Sequence, residues 1–486
     1  MVRGATCGKG CHELGIFKSH HPLKGMMRVA NGARRIAKAF APPGRAWRRS
    51  ECAHAALPGY TYIAALRPSC GGVPRTIDLR LGTGAAGMLR LHALSRTTVT
   101  STRLPDDGAR SETDRAGHPL DRAMSRWLLI CGAVVGVIVV VGGVTRLTES
   151  GLSIVKWKPL SGIRPPLTSE EWELEFDGYK KFPEFKQKPD MTLSDFKYIF
   201  FWEWLHRALA RSMGIVFGVP LLYFAAKGAL KGRGALQLRL AAALLLGAGQ
   251  GALGWYMVKS GLDHQLTERS EKATVSPYRL ASHLTMAFTI FSVLLATAFR
   301  LQLATLSLPE VVHAGVQSTT LLPGLAKLSL GTMFVTAVSG AFVAGLDAGL
   351  FFNDTFPYMG EGWFPVAADC FAKSPLWRNI FENPVAAQLW HRIMAGATTI
   401  SVLLLNAEHH RLMQLPETDP AGLLARALKG YIRGVNHALL GQVTLGMAAI
   451  VTSVYLPIAA LHQLNSMVLL GILLRLVCML GFRRPL

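Results

Sequence analysis

The amino-acid sequence predicts an all-α integral membrane protein, with eight transmembrane helices arranged as two pseudo-symmetric four-helix bundles. Three observations predict it. Half of the 486 residues are hydrophobic and only 17% are charged, a balance that soluble globular chains do not show. Eight stretches each carry about 20 mostly apolar residues, the length that crosses a hydrocarbon core of about 30 Å. The first four stretches and the last four also repeat one another's landmarks.

Taken in order, the first span is expected over 126–145 and runs into GGVTRLTESGL (142–152). The second, 201–224, opens on EWLHR (203–207). The third, 238–258, contains LLGAGQGALG, and the fourth, 280–300, carries His283 near its start. The fifth, 325–345, runs into SGAFVAGLDAGL (339–350), which resembles the end of the first and sets Asp347 near Glu149. The sixth, 385–405, opens on QLWHR (388–392), matching EWLHR at an offset of 185. The seventh, 434–456, contains LLGQVTLGMA (439–448). The eighth, 457–480, is separated from it only by the YLP turn at 455–457 and carries His462, which matches His283 at an offset of 179. Four helices precede four of the same sense, so the repeat is parallel, and its Gly-rich faces suit close helix contact and leave room for a flat macrocycle.

The net charge of +22 does not point to nucleic acid, because residues 1–100 hold 16 Lys/Arg against three acids. An Arg-rich, acid-poor leader without periodicity reads as an organelle transit peptide, with a disordered basic tail as the other reading. Four of the seven cysteines lie in that leader; Cys131 and Cys478 read as core residues and Cys370 stands alone in a polar loop. The linker 225–237 carries Lys227, Lys231 and Arg233 and no acid, and the chain ends with Arg483 and Arg484. The loop 345–384 has more acids than bases. This bias puts both ends of the membrane domain inside, which in a mitochondrion is the matrix, and the loops 146–199 and 345–384 outside.

Of fifteen histidines, His206, His283, His391 and His462 lie in expected spans away from the matrix edge, each near the start of an even-numbered helix. Even-numbered helices all run from outside to inside, so the four imidazoles share one depth towards the outer face. A lone membrane histidine is often just hydrogen-bonded to a neighbour. Four at matching depth suggest two haem irons held axially, by His206 with His283 and by His391 with His462.

One difference between the halves carries chemistry. Glu203 and His206 are i and i+3 and share a helix face; the matched pair is Gln388 and His391. A partly buried carboxylate beside one iron suits proton transfer, so the first half is expected to perform chemistry and the second to hold an electron-transfer haem. The competing reading pairs Glu203 with Arg207 or makes it a helix cap. Arg207 and Arg392 either reach a haem propionate or extend to the interface.

FFWEWLHRALARSMG, GWYMVKSGL (254–262), SPYRLASHL (276–284), AGLDAGLFFNDTFPYMGEGW (344–363), RNIFENPVAAQLWHR (378–392) and LPIAALHQ (456–463) resemble the haem A synthase family of mitochondrial type, over about 125–480. The resemblance implies oxidation of the C8 methyl of haem O to a formyl group, with water as the oxygen source, giving the haem A of cytochrome c oxidase. It implies His391 and His462 as ligands of a resident haem b, His206 and His283 as ligands of the substrate haem O, and Glu203 as the residue important in the oxidation. It also implies a ferredoxin-type electron donor, with haem O synthase and cytochrome c oxidase assembly factors as candidate partners beside membrane lipid. The cysteine pair that some bacterial members carry in the first outer loop has no counterpart in 146–199. The expected organisation is a transit peptide and disordered leader (1–115), a bundle with the substrate site (126–301), a matrix linker (302–324) and a bundle with the haem b site (325–480), in the mitochondrial inner membrane. The alternatives are a di-haem b-type transmembrane electron carrier and a transporter. Whether the chain forms a homo-oligomer is left open.

Overall fold

The computed structural model describes residues 118–156, 161–262, 275–305 and 310–481. The leader 1–115, with its reading as a transit peptide, lies outside the described residues. Each of the eight apolar stretches is a helix: α1 (Asp121–Leu147), α2 (Leu193–Ala226), α3 (Gly234–Gly261), α4 (Pro277–Thr305), α5 (Leu321–Gly345), α6 (Pro384–Met413), α7 (Pro420–Val451) and α8 (Leu456–Leu480). No strand occurs among the described residues. Seven of these helices are long and apolar enough to cross a membrane. The exception is α6, where eight crossings were expected. It is 30 residues long, but His391 and Arg392 at one end and the NAEHHR run at the other dilute its apolar content.

Helix starts follow their capping chemistry. Thr192 and Asp195 form a capping box at α2, while Asn383 and Asp419 each cap a helix whose first residue is proline. Two starts lie well before the apolar runs that marked them in the sequence. α2 begins at Leu193 because Phe196, Ile199 and Phe200 are buried under the preceding segment, against Phe176 and Tyr179 of the short helix Ser169–Lys180. α7 begins at Pro420, and its first turns pack Leu424 and Leu428 into a cluster with Leu405 and Leu412 of α6. α6 itself continues to Met413, so His409 and His410, expected in a polar linker, are helical; buried His409 contacts the carbonyl of Ala425 at 2.9 Å. The expected linker 302–324 likewise contains a helix, Glu310–Ser318.

α1 packs on α2, α4 and α8; α4 packs on α3, α5 and α8; α5 packs on α6 and α8; and α7 packs on α6 and α8. A continuous core runs through all eight. Leu222, Leu238, Leu245 and Leu440 are each about 70% exposed, which suits helices whose outer faces meet lipid. Both α1 and α5 end in the same way. The residue two past each helix, Glu149 and Asp347, takes a left-handed conformation (φ 51° and 52°). Arg146 of α1 bonds Asp347 Oδ1 at 3.1 Å and the carbonyl of Gly345 at 3.2 Å, tying the two ends together.

Candidate functional site: four histidines backed by glycines

The four histidines sit on α2, α4, α6 and α8, each within electrostatic reach of its expected partner: His206 with His283, and His391 with His462. Each ring is packed against a glycine on an odd-numbered helix. A methyl group added at Gly142 of α1 would stand 2.8 Å from His206 Cε1, and one at Gly254 of α3 would stand 3.0 Å from His283 Cε1. The matching distances are 3.2 Å from Gly340 of α5 to His391 and 2.9 Å from Gly446 of α7 to His462. These four glycines admit the edge of an imidazole, while Gly136, Gly247 and Gly251 of the same Gly-rich faces meet nothing within 4 Å. Gly142 and Gly340 lie at the same spacing before the left-handed residues Glu149 and Asp347. Gln250 and Gln442 each precede a histidine-backing glycine by four residues, so the matched register of α3 and α7 differs by two from the one the LLG strings suggest.

The two pairs are held differently. Ser339 Oγ donates to the carbonyl of Thr336 at 2.8 Å and stands 2.8 Å from His391 Nδ1. Ser339 thus bridges the α5 backbone and the His391 ring at Nδ1. Gln442 Nε2 stands 3.2 Å from both ring nitrogens of His462, and its oxygen accepts from Asn465 at 2.9 Å. In the first pair, Nδ1 of His206 and of His283 are both buried without a hydrogen-bond partner. Gln250 turns instead to the backbone carbonyl of His283, at 3.1 Å.

Glu203 and Gln388 fill one structural role with opposite polarity. Glu203 is 2% exposed; its Oε2 accepts from Ser153 Oγ at 2.6 Å and the Ile154 N–H at 2.7 Å, and its Oε1 meets Arg207 Nη2 at 2.6 Å. Gln388, also 2% exposed, donates through Nε2 to the carbonyls of Ala348 and Phe351, each at 2.8 Å. Both side chains fasten the loop after the preceding odd-numbered helix one turn before a histidine. One loop offers donors to an anion and the other offers carbonyls to an amide.

The pairing of Glu203 with Arg207 is present, and Arg207 also reaches the carbonyl of Ile154 at 3.3 Å. Arg207 lines a cavity of about 250 Å³ with Trp255, Lys259 and Phe182. Arg392 donates to the carbonyl of Pro357 at 3.0 Å and lies over Phe356, but its Nε and Nη2 are buried without partners. Next to Glu203, Glu184 of the short helix Pro183–Lys186 is 5% exposed. Burial pushes its carboxyl up to about 7; Lys188 opposes the shift, and Glu203 and Glu149 add to it. Burial, with Glu184 beside it, also raises the Tyr179 hydroxyl.

Among the described residues no three His, Cys, Asp or Glu side chains converge as a metal cage. Two imidazoles per pair would leave the remaining positions of an iron to a planar group, and the residues fit haem in two further respects. Each ring is seated against a glycine, and Arg392, next to His391 in sequence, has unpartnered guanidinium N–H groups that would suit a propionate.

Sequence reading found the histidines, Glu203 and Gln388. It gave no role to Ser339 or Ser153; the signal for both was spacing, since Ser339 opens the α5 landmark and Ser153 follows directly on the α1 landmark that the repeat aligned.

The family model of cytochrome oxidase assembly proteins, COX15-CtaA, matches residues 125–474. The chain is 42% identical to human heme A synthase COX15, over 72% of this chain and 80% of the human protein. It is 40% identical to the heme A synthase of Rhodospirillum centenum, over 72% of this chain and 87% of that one. A third relative, 39% identical over 71% of this chain and 58% of its own length, is the heme A synthase-mitochondrial ferredoxin fusion protein of Schizosaccharomyces pombe. No solved structure matches the chain.

Proposed function

Because the chain belongs to the COX15-CtaA family of cytochrome oxidase assembly proteins, we propose that it is a haem A synthase, a multi-pass membrane oxidoreductase that converts haem O to haem A. The reading extends to eight crossings in two pseudo-symmetric bundles, with α6 as the sixth. The substrate haem O stands between His206 and His283, and a resident haem b between His391 and His462. The enzyme sits in the mitochondrial inner membrane with both ends of its membrane domain in the matrix, and residues 1–115 are its transit peptide. A ferredoxin-type donor is supported by the fused ferredoxin of the fission-yeast relative.

The observation that carries the division of labour is the tethering. Ser339 and Gln442 hold the second pair of imidazoles, as suits a permanent cofactor. Neither His206 nor His283 has such a side-chain tether at Nδ1, as suits a ligand that must come and go. Haem, when bound, supplies the redox chemistry at its iron. The chain supplies orientation and charge. His206 and His283 set the plane of the substrate; Glu203, fixed by Ser153 and Ile154, holds a negative charge one turn away; and Arg207 balances it. A di-haem carrier needs neither the loose first pair nor the Glu203/Gln388 difference.

The test is mass analysis of haems extracted from the purified protein supplied with haem O. Wild type should yield haem b together with haem O and haem A. His391→Ala should lose the haem b spectrum while the first pair still binds haem O. Haem b alone from wild type, or an unchanged spectrum in His391→Ala, refutes the respective assignment.

A further inference from the structure

At the end of the helices opposite the histidines, α3, α4 and α8 bring three arginines together. Arg239 is the sixth residue of α3, Arg300 lies five before the end of α4, and Arg475 lies five before the end of α8. At 1.5 Å per residue, all three stand about 7–8 Å inside their helix ends. The three act electrostatically on the same buried thiol, Cys478. Arg475 reaches across to α4, donating to the carbonyl of Phe299 at 3.4 Å and to Gln302 at 3.0 Å, and it lies over the Phe299 ring. Arg239 Nη1 is buried and has no hydrogen-bond partner.

None of the three has a carboxylate partner among the described residues, although Arg233, six residues before Arg239, is paired with Asp121 at 2.6 Å. Like charges gathered at the edge of an apolar phase repel and are costly without a counter-anion. The missing anion must combine several acceptor oxygens with tolerance of an apolar surround. We propose that Arg239, Arg300 and Arg475 form a binding site for a phosphodiester anion, the headgroup of an anionic phospholipid whose acyl chains lie along the exposed apolar faces of α3. Basic pockets between transmembrane helices bind such headgroups at this depth. Leu238 and Leu245, 71% and 72% exposed, give the chains a surface beside the cluster. Free phosphate shares the headgroup's chemistry but gains nothing from that surface.

The full-length protein, solubilised in mild detergent and offered mixtures of anionic and zwitterionic phospholipid, is examined by native mass spectrometry. Wild type should retain the anionic lipid preferentially. Arg239→Gln with Arg475→Gln should weaken retention about 25-fold, from about fivefold per arginine. The control Arg433→Gln removes a charge of α7 outside the cluster and should change retention less than twofold. The haem spectrum of each variant reports folding. Millimolar inorganic phosphate that displaces the lipid fully would make this a free-phosphate site. Equal retention of both lipid classes by wild type, or equal losses in the cluster and control variants, would overturn the proposal; the wild-type comparison needs no variant to fold.

Discussion

Replacing Gly142 by alanine is the sharpest perturbation that the histidine seats allow. The added methyl would lie 2.8 Å from His206 Cε1 and 3.2 Å from Nδ1, closer than carbon atoms approach without displacement. An imidazole free to swing about its side-chain torsions would yield at little cost. One fixed by ligation cannot, and the strain then falls on α1 or on the bond to the ligand. Overpacking of this kind costs about 1–3 kcal/mol, a roughly five- to 150-fold loss of affinity. Gly136 is the control: it lies on the same helix, and an added methyl there meets nothing within 4 Å. Titrating each variant with haem O and following the absorbance of the bound haem should show the loss for Gly142→Ala and none for Gly136→Ala. Gly446→Ala should damage the second pair in the same way, and Gly340→Ala less, since its contact is 3.2 Å. Equal affinities for Gly142→Ala and Gly136→Ala would mean that His206 does not hold the haem in this seat.

Glu203→Gln should abolish haem A formation while the haem at His391 and His462 stays. It should also lower thermal stability by about 3 kcal/mol, because Arg207, 16% exposed, loses its buried anion. Adding Arg207→Gln should restore stability without activity, and recovery of both would reduce Glu203 to a structural role. Glu184 gives a pH dependence outside the membrane. Its folded pKa of about 7 lies above the ordinary carboxyl value, so the folded state keeps the proton that the unfolded chain releases. Stability is therefore greatest below about pH 4.5 and falls as pH rises to 7, by about 3 kcal/mol in all. Hydrogen exchange over 161–200 at pH 5 and pH 8 should show this slope in wild type and a flat response in Glu184→Gln; a slope unchanged by the substitution would assign it to another group.

The helices were legible because α1–α5, α7 and α8 carry long apolar windows, and the histidines because they recur near the starts of the even-numbered helices. α6 was legible by its repeat with α2 rather than by its hydropathy. The extended starts of α2 and α7 were not, because tertiary cover decides them: Phe196 and Ile199 are apolar in a polar neighbourhood until the segment 169–186 folds over them. The polarity swap at Glu203 and Gln388 was visible as a sequence difference. Its meaning depends on which backbone groups the facing loop turns inward, and no residue type encodes that. The arginines illustrate the same limit. EWLHR and QLWHR read alike at Arg207 and Arg392, yet one closes an ion pair and the other is left with two buried, unpartnered nitrogens.

The tethers also test the proposed division into a cofactor site and a substrate site by a route that does not pass through catalysis. Ser339 lies one residue before Gly340; the residue one before Gly142 is Val141. The second half therefore carries a hydroxyl where the first carries a methyl-bearing side chain that cannot hydrogen-bond an imidazole. Ser339→Ala removes the hydroxyl that holds the His391 ring at Nδ1. Loss of such an outer partner typically weakens metal binding 10- to 100-fold, so haem at the second pair should dissociate faster by about that factor. Val141→Ser makes the opposite change, and haem O bound at the first pair should then leave more slowly. Haem transfer to apomyoglobin measures both rates, followed at the absorbance of the acceptor. If Ser339→Ala releases its haem no faster than wild type, tethering does not distinguish the two sites, and the Glu203/Gln388 difference alone must bear the assignment.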